Sequence, residues 1–140
     1  MTNQQLNCLN MQMLRASHWV LKTYEDAYRP YGIRATQVPV LSLIASDGPI
    51  SIKQIAEQTI TERSVLSRKL GVMEKNGWVS KQAVSGTQER VYEITDIGRA
   101  KLANIESIRC QVQQQLTLAL SEDEKNMLLN LCDKLTLDNQ

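Results

Sequence analysis

Arg63, Ser64, Ser67 and Arg68 stand within one short run, E-R-S-V-L-S-R-K-L, and their types and spacing suit hydrogen bonding to a nucleic-acid duplex. A guanidinium can bond a guanine edge with two parallel N–H donors, and a serine is short enough to reach a base or a phosphate oxygen. Leu66, Leu70 and Met73 recur through the same segment at i, i+4 and i+7, the period of one core-facing helical stripe. The four polar residues fall largely off that stripe, with Arg63 and Ser64 in the first turn. Lys69 and Lys75 follow on the same segment and Lys81 lies just beyond it, all three suited to phosphate or solvent, with Lys69 and Lys81 counted among the DNA-binding candidates. A polar face opposite a core stripe is, taken alone, most often only solvated surface. The elements on either side of this one argue for recognition instead.

Upstream, Ser51 followed by Gln54 has the form of a capping box, in which side chains satisfy the orphan N–H groups of a helix start. Ile52, Ile55 and Ala56 give that short helix one apolar side. Thr61 is the expected N-cap of the longer helix. Gly77 after Asn76 supplies its stop, since glycine accepts the left-handed conformation at a helix end. Downstream, two β-prone runs, Trp78 to Ala83 and Glu89 to Ile94, flank a turn signal at Ser85-Gly86-Thr87. Lys81 and Arg90 on that hairpin are candidates for contacts to phosphate or the minor groove. A helix pair followed by a hairpin wing is a device for laying one helix in the major groove of DNA.

Three further amphipathic segments surround this unit. Leu6, Leu9, Met13, Val20, Tyr24 and Ala27 or Tyr28 recur at helical spacing before Pro30 and Gly32 end the run. Ile105, Ile108, Val112, Leu116 and Leu120 form a second stripe. Ser121 with Glu124 is another capping box, opening a last helix that carries Leu128, Leu131 and Leu135. A helix over about residues 35–46 contains Pro39, which is tolerated only near a first turn and so sets the start close to Arg34 or Thr36. These segments hold more apolar surface than a small reading unit needs, and a two-fold partner is the commonest way to bury it. The alternative is a bundle within one chain. The expected fold is mainly α with a small β-hairpin wing, a winged helix-turn-helix carrying dimerisation helices at both ends. One domain over 1–140 divides into dimerisation helices at about 1–31 and 102–140 and a winged helix-turn-helix at about 34–98.

The charge distribution agrees. The chain of 140 residues has a formal net charge of only +1. Yet from Arg63 to Lys81 five basic residues face one acid, whereas from Leu102 to Gln140 three basic residues face six acids. A basic reading segment with an acidic tail suits a DNA-binding module that keeps a separate, non-DNA surface. No apolar run of about 18 residues and no charged-then-apolar leader appears, so a cytoplasmic protein without a membrane partner is expected. The single histidine, His18, and the three cysteines, Cys8, Cys110 and Cys132, share no zinc-site spacing. Neither a phosphate loop nor a nucleophile motif is present, so no enzyme, no metal and no cofactor is expected. Cys110 and Cys132 lie beside apolar stripes and are expected to be buried.

The order L/I-x-x-x-G-P-I-S-I-K-Q-I-A, E-R-S-V-L-S-R-K-L, E-K-N-G-W-V and I-T-D-I-G-R resembles the MarR family of winged-helix transcriptional regulators. Glu62-Arg63-Ser64 and Ser67-Arg68 stand where that family commonly reads D-R-S-x-x-[ST]-R. Ile94 to Arg99 matches its L-T-x-x-G-R exit, and Gly32 to Gln37 resembles the entry to its second helix. At the wing tip, where many members carry Asp-Arg-Arg, this chain has Gly86-Thr87-Gln88, leaving Arg90 as the nearby arginine. The resemblance implies a homodimer that binds a pseudo-palindromic DNA operator, as a repressor released by a small aromatic effector or by oxidation. It places such an effector near His18, Trp19, Tyr24, Tyr28 and Tyr31, with His18, Trp19 and Tyr28 as the ligand-binding candidates. Some branches of the family sense oxidants through a cysteine near the start of the first helix, which makes Cys8 the redox candidate. A winged helix can also serve as a protein-interaction adaptor without specific DNA binding, because fold alone does not fix function. The basic, serine-bearing first turn favours DNA.

Overall fold

A computed structural model describes residues 1–137, so the end of the expected 102–140 segment lies outside the described residues. The elements are α1 (Asn3–Leu6), α2 (Leu9–Tyr28), a 3-10 turn (Arg29–Tyr31), α3 (Val38–Asp47), β1 (Ile50–Ser51), α4 (Ile52–Thr59), α5 (Arg63–Lys75), β2 (Val79–Ala83), β3 (Arg90–Ile94), α6 (Asp96–Leu116) and α7 (Glu122–Leu137). No helix among the described residues is long and apolar enough to cross a membrane.

The helix-turn-helix and wing form where the local signals place them. Ser51 and Gln54 make the reciprocal capping box at the start of α4. Gly77 takes a φ of 79° just after α5, and the strands of the hairpin begin and end within one residue of expectation. Leu66, Leu70 and Met73 are fully buried and pack with Ile55, Leu41, Ile44 and Trp78 in one core. Burying each such side chain contributes about 1.5–3 kcal/mol, and this core fixes where α5 points.

Several expectations are corrected. The first helical run is broken: the Thr2–Gln5 box opens a separate four-residue α1, and Cys8 is the N-cap of α2. The Gln12 side-chain amide donates to the Leu6 carbonyl at 2.8 Å, satisfying an acceptor left open by the break. α3 begins at Val38, later than expected, because residues 34–37 close a turn in which Gln37 N–H donates to the Arg34 carbonyl. Pro39 then falls at the second helical position, where its missing N–H costs nothing. Thr61 does not cap α5. Ile60 adopts a left-handed φ of 50°, the Thr61 hydroxyl donates back to the Thr59 carbonyl, and Glu62 becomes the N-cap.

The wing also has a third strand. β1 pairs with β3 antiparallel, Ile50 opposite Tyr92 and Ser51 opposite Val91, so the sheet order is β1-β3-β2. Cys110 is exposed and Cys132 half-buried, contrary to the expected burial of both. Leu120 lies past the end of α6. The Ser121–Glu124 box opens α7, which buries none of its residues within the chain, and the one-chain bundle is thereby disfavoured.

Gly98 joins the wing to α6. It is buried in the first turn, where its N–H donates to Thr95 Oγ1 at 3.1 Å. A Cβ there would collide with the Trp78 carbonyl oxygen and stand 2.8 Å from Ile94 Cγ1. Gly98→Ala is therefore expected to destabilise the fold by about 1–3 kcal/mol, the range for overpacking. Thermal denaturation checks this, and an unchanged midpoint would contradict the close approach.

Candidate nucleic-acid interface and effector cavity

The β2–β3 register decides which wing residues face the reading helix. Val79, Lys81 and Ala83 lie opposite Ile94, Tyr92 and Arg90, and strand alternation puts all six on one face. Val79 and Tyr92 are buried, so this is the core-side face. Lys81 and Arg90, nearer the tip, line one groove with Arg63 and Ser67 of α5. Between wing and helices runs a groove of about 430 Å³ whose lining includes Lys53, Arg63, Ser67, Lys81, Gln88, Glu89 and Arg90. Four cations and one carboxylate line it. The opposite wing face is closed on itself by a hydrogen bond from the Gln82 side-chain amide to Glu93 at 3.0 Å.

The cations of this region enter no ion pair among the described residues, and Arg90 donates only to the neighbouring Glu89 carbonyl at 3.3 Å. Every ion pair among the described residues lies on α2, α6, α7 or the segment following α2, as in Lys22–Asp26 and Arg109–Glu106. None involves Lys53, Arg63, Arg68, Lys81 or Arg90. No side chain caps the first turn of α5, so its N–H groups and helix dipole add to the positive field in front of Arg63. Ser64 and Arg68, at i and i+4, are exposed on the adjoining edge of α5 and do not line the wing groove.

The structure separates Lys69 from this set. Its Nζ donates to the Thr36 carbonyl at 3.0 Å, and burial pushes its pKa down. Lys53 joins the groove cations although it belongs to neither the reading helix nor the wing. It is the second residue of α4, exposed on the groove wall opposite the wing, and the capping box ahead of it was the signal for its place.

A second concavity, about 550 Å³, lies where α2, α3 and α6 meet. His18, Leu21, Tyr24, Tyr28, Val38, Pro39 and Arg109 are among its lining residues. The Tyr24 and Tyr28 rings stack at a 38° tilt with centroids 5.6 Å apart. Burial, foremost, pushes the Tyr28 hydroxyl up to about 12, so it stays a neutral phenol near neutral pH. Arg109 is the only arginine or lysine lining the cavity. Glu106 holds it through two hydrogen bonds, 3.0 Å from Nε and 2.7 Å from Nη2, and these strengthen its protonated form. Of the sequence candidates, His18 and Tyr28 meet here with Tyr24. Trp19 does not line the cavity and is 64% exposed, and Tyr31 packs against the main core. Cys8 is exposed at the start of α2. Among the described residues no cluster of ligands could hold a metal ion.

Residues 31–90, which carry the helix pair, β2 and the wing turn up to the first residue of β3, match the model of the MarR family. Over that span the chain is similar to the MarR family. A mutant MarR from E. coli, solved in complex with operator DNA, matches with a TM-score of 0.85 at 20% identity, covering 94% of this chain and 95% of that one. CouR from Rhodococcus jostii, bound to p-coumaroyl-CoA, matches with a TM-score of 0.86 at 14% identity and 99% coverage of both chains. The uncharacterized HTH-type transcriptional regulator YwoH of Bacillus subtilis is 21% identical over 120 residues, 86% of this chain and 88% of that protein. At these identities the solved structures establish a shared fold. The MarR winged helix-turn-helix and the helices around it are thus common to all but a few residues of the chain.

Proposed function

We propose that this protein is a cytoplasmic, homodimeric transcriptional regulator that binds a pseudo-palindromic DNA operator as a repressor. The observation that carries the reading is the wing groove, whose Lys53, Arg63, Lys81 and Arg90 face one concavity from two sides and enter no ion pair. Residues 34–98 act as the reading unit, with Arg63, Ser64, Ser67 and Arg68 toward base edges and Lys53, Lys81 and Arg90 toward phosphates. Residues 1–31 and those from 102 onward pair the two subunits, since α7 leaves Leu128 and Leu131 about half exposed within one chain. That E. coli MarR carries the same fold and was solved on operator DNA supports this reading. A salt titration of binding to the protein's own upstream promoter fragment tests it. Affinity for that fragment should exceed affinity for random duplex and fall steeply with salt, because counterions are displaced. An adaptor without DNA specificity would bind both duplexes alike.

The α2–α3–α6 cavity is the effector site, and its chemistry suits a small aromatic anion. Tyrosine and aliphatic walls take the ring, neutral phenols offer hydrogen bonds, and the Arg109 guanidinium, paired with Glu106, offers its remaining N–H donors. CouR, of the same fold, was solved with p-coumaroyl-CoA, so p-coumarate is a reasonable first probe. The exposed Cys8 thiol is the alternative trigger. Cys8→Ser separates the two. Release from DNA by p-coumarate should persist in the variant, and any release by hydrogen peroxide should vanish. If p-coumarate and related aromatic acids leave DNA affinity unchanged while peroxide lowers it only in the parent, the thiol is the trigger.

A further inference from the structure

The segment joining α2 to α3 is held by side chains from different parts of the fold. Its 34–37 turn is closed internally, with Arg34 N–H donating to Gln37 Oε1 at 2.8 Å and Gln37 N–H to the Arg34 carbonyl at 2.9 Å. On one side Glu25 of α2 clamps it, accepting from Ala35 N–H at 2.8 Å and from the Arg34 guanidinium. On the other side Lys69 of α5 reaches 33 positions back along the chain to donate to the Thr36 carbonyl at 3.0 Å. Ala35, Val38 and Pro39, on and just after this turn, are walls of the α2–α3–α6 cavity.

We infer that Lys69 is a positioning residue that links the wall of the effector cavity to the reading helix through the 34–37 turn. The inference rests on the cavity and the groove having the roles proposed above. Lys69 follows Arg68 directly and lies six residues after Arg63, about 9 Å along the axis at 1.5 Å per residue. A helix with a fully buried stripe moves as a rigid element, so a shift of Thr36 is passed to the arginines. The ammonium head sits on a backbone carbonyl and is partly desolvated, which is where a strut belongs and not where a phosphate contact belongs. A ligand that presses on Ala35, Val38 and Pro39 therefore acts on the turn that α5 is tied to. Its effect on DNA is limited to its differential affinity for the two positions of that turn.

Lys101 makes a comparable but separate link. Its Nζ donates to the Tyr31 carbonyl at 2.7 Å and lies 5.7 Å over the Trp78 ring, tying the start of the same connector to α6 and the wing base. Neither of these two contacts is made to a residue of α5, and this makes Lys101→Met the control for general loosening.

The test compares the full-length dimer with Lys69→Met, Lys69→Arg and Lys101→Met on an operator fragment selected from random duplexes. In the parent, DNA binding should slow amide hydrogen exchange across residues 34–38. Lys69→Met should lose that slowing, Lys69→Arg should recover it, and Lys101→Met should keep it. The salt dependence of DNA affinity in Lys69→Met should match the parent, whereas a lost phosphate contact would lower the slope by about 1 per site. If Lys69→Met keeps the exchange response, or shows the lower slope, the inference is overturned. Equal loss in Lys69→Met and Lys101→Met would overturn it too, as loosening of the whole connector. With p-coumarate, an effect of about tenfold on parental DNA affinity, ordinary for coupled sites, should shrink below about twofold in Lys69→Met with p-coumarate binding retained. If p-coumarate and other aromatic acids fail to bind the parent, the effector reading fails, and the ligand-free exchange arm still decides the link.

Discussion

Leu131→Asp is expected to convert the dimer to a monomer and to lower affinity for the operator by roughly 10²-fold or more, the scale of avidity lost when two linked sites are parted. α7 buries none of its residues within the chain, and Leu128 and Leu131 are 48% and 47% exposed. With Leu120 and Met127 they line an apolar hollow of about 430 Å³. Covering a leucine contributes about 1.5–3 kcal/mol, and in a two-fold interface each change appears twice. A carboxylate in that place forfeits the contribution and adds the cost of desolvating a charge. The reading unit has its own core around Leu66, Leu70 and Met73, so the variant should stay folded. Sedimentation gives the mass, circular dichroism the helix content, and fluorescence anisotropy the DNA affinity. A folded variant that remains dimeric would remove α7 from the interface. A monomer that binds as tightly as the parent would instead remove the need for two reading units.

What the sequence made legible was whatever depends on near neighbours. The Ser51–Gln54 and Ser121–Glu124 boxes, the Gly77 stop and the α5 stripe each involve residues a few positions apart, and all appear as expected. Thr61 fails as a cap because the chain turns at Ile60, and sequence does not announce that turn, since a β-branched residue seldom takes a positive φ. β1 is only two residues long and is defined by pairing with β3, some 40 positions away, so no local pattern announces it.

The same distinction runs through the sites. Ser17, Val20, Leu21, Tyr24 and Tyr28 lie at i, i+3, i+4, i+7 and i+11, a single stripe of α2 that faces the cavity, and Trp19 falls off it. That separation was available from helical spacing alone. Arg109 was not, since only the packing of α6 on α2 brings it to the tyrosines. Lys69 looked like one more cation of a basic helix until the fold set it against Thr36. Composition can count charges on a helix, but tertiary contacts decide which of them are free.

The free ones give the second large effect. Arg68→Ala is expected to cost about 1–3 kcal/mol per half-site on the selected operator, or roughly 5- to 150-fold for each, and to relax preference at one base position in each half-site. Lys81→Ala should behave differently. Arg68 is exposed on the edge of α5 with no ion pair to hold it back, so its planar head can enter a major groove that the helix occupies. Lys81 stands on the wing strand opposite Tyr92, facing the helix across the groove, where a duplex would present phosphates. An ammonium on phosphate carries no sequence information and acts through counterion release. Losing one such lysine from each half of a dimer withdraws two contacts, and at about 0.9 per contact the slope of log affinity against log salt should fall by about 2. Selection from randomised duplexes reads the base preference, and titration between low and moderate salt reads the slope. The assignment requires the two variants to differ in kind: relaxed preference with a nearly unchanged slope in one, unchanged preference with a shallower slope in the other. If both lower operator and random-duplex binding by the same factor, Arg68 is a phosphate contact, and base readout must come from Arg63 and the serines beside it.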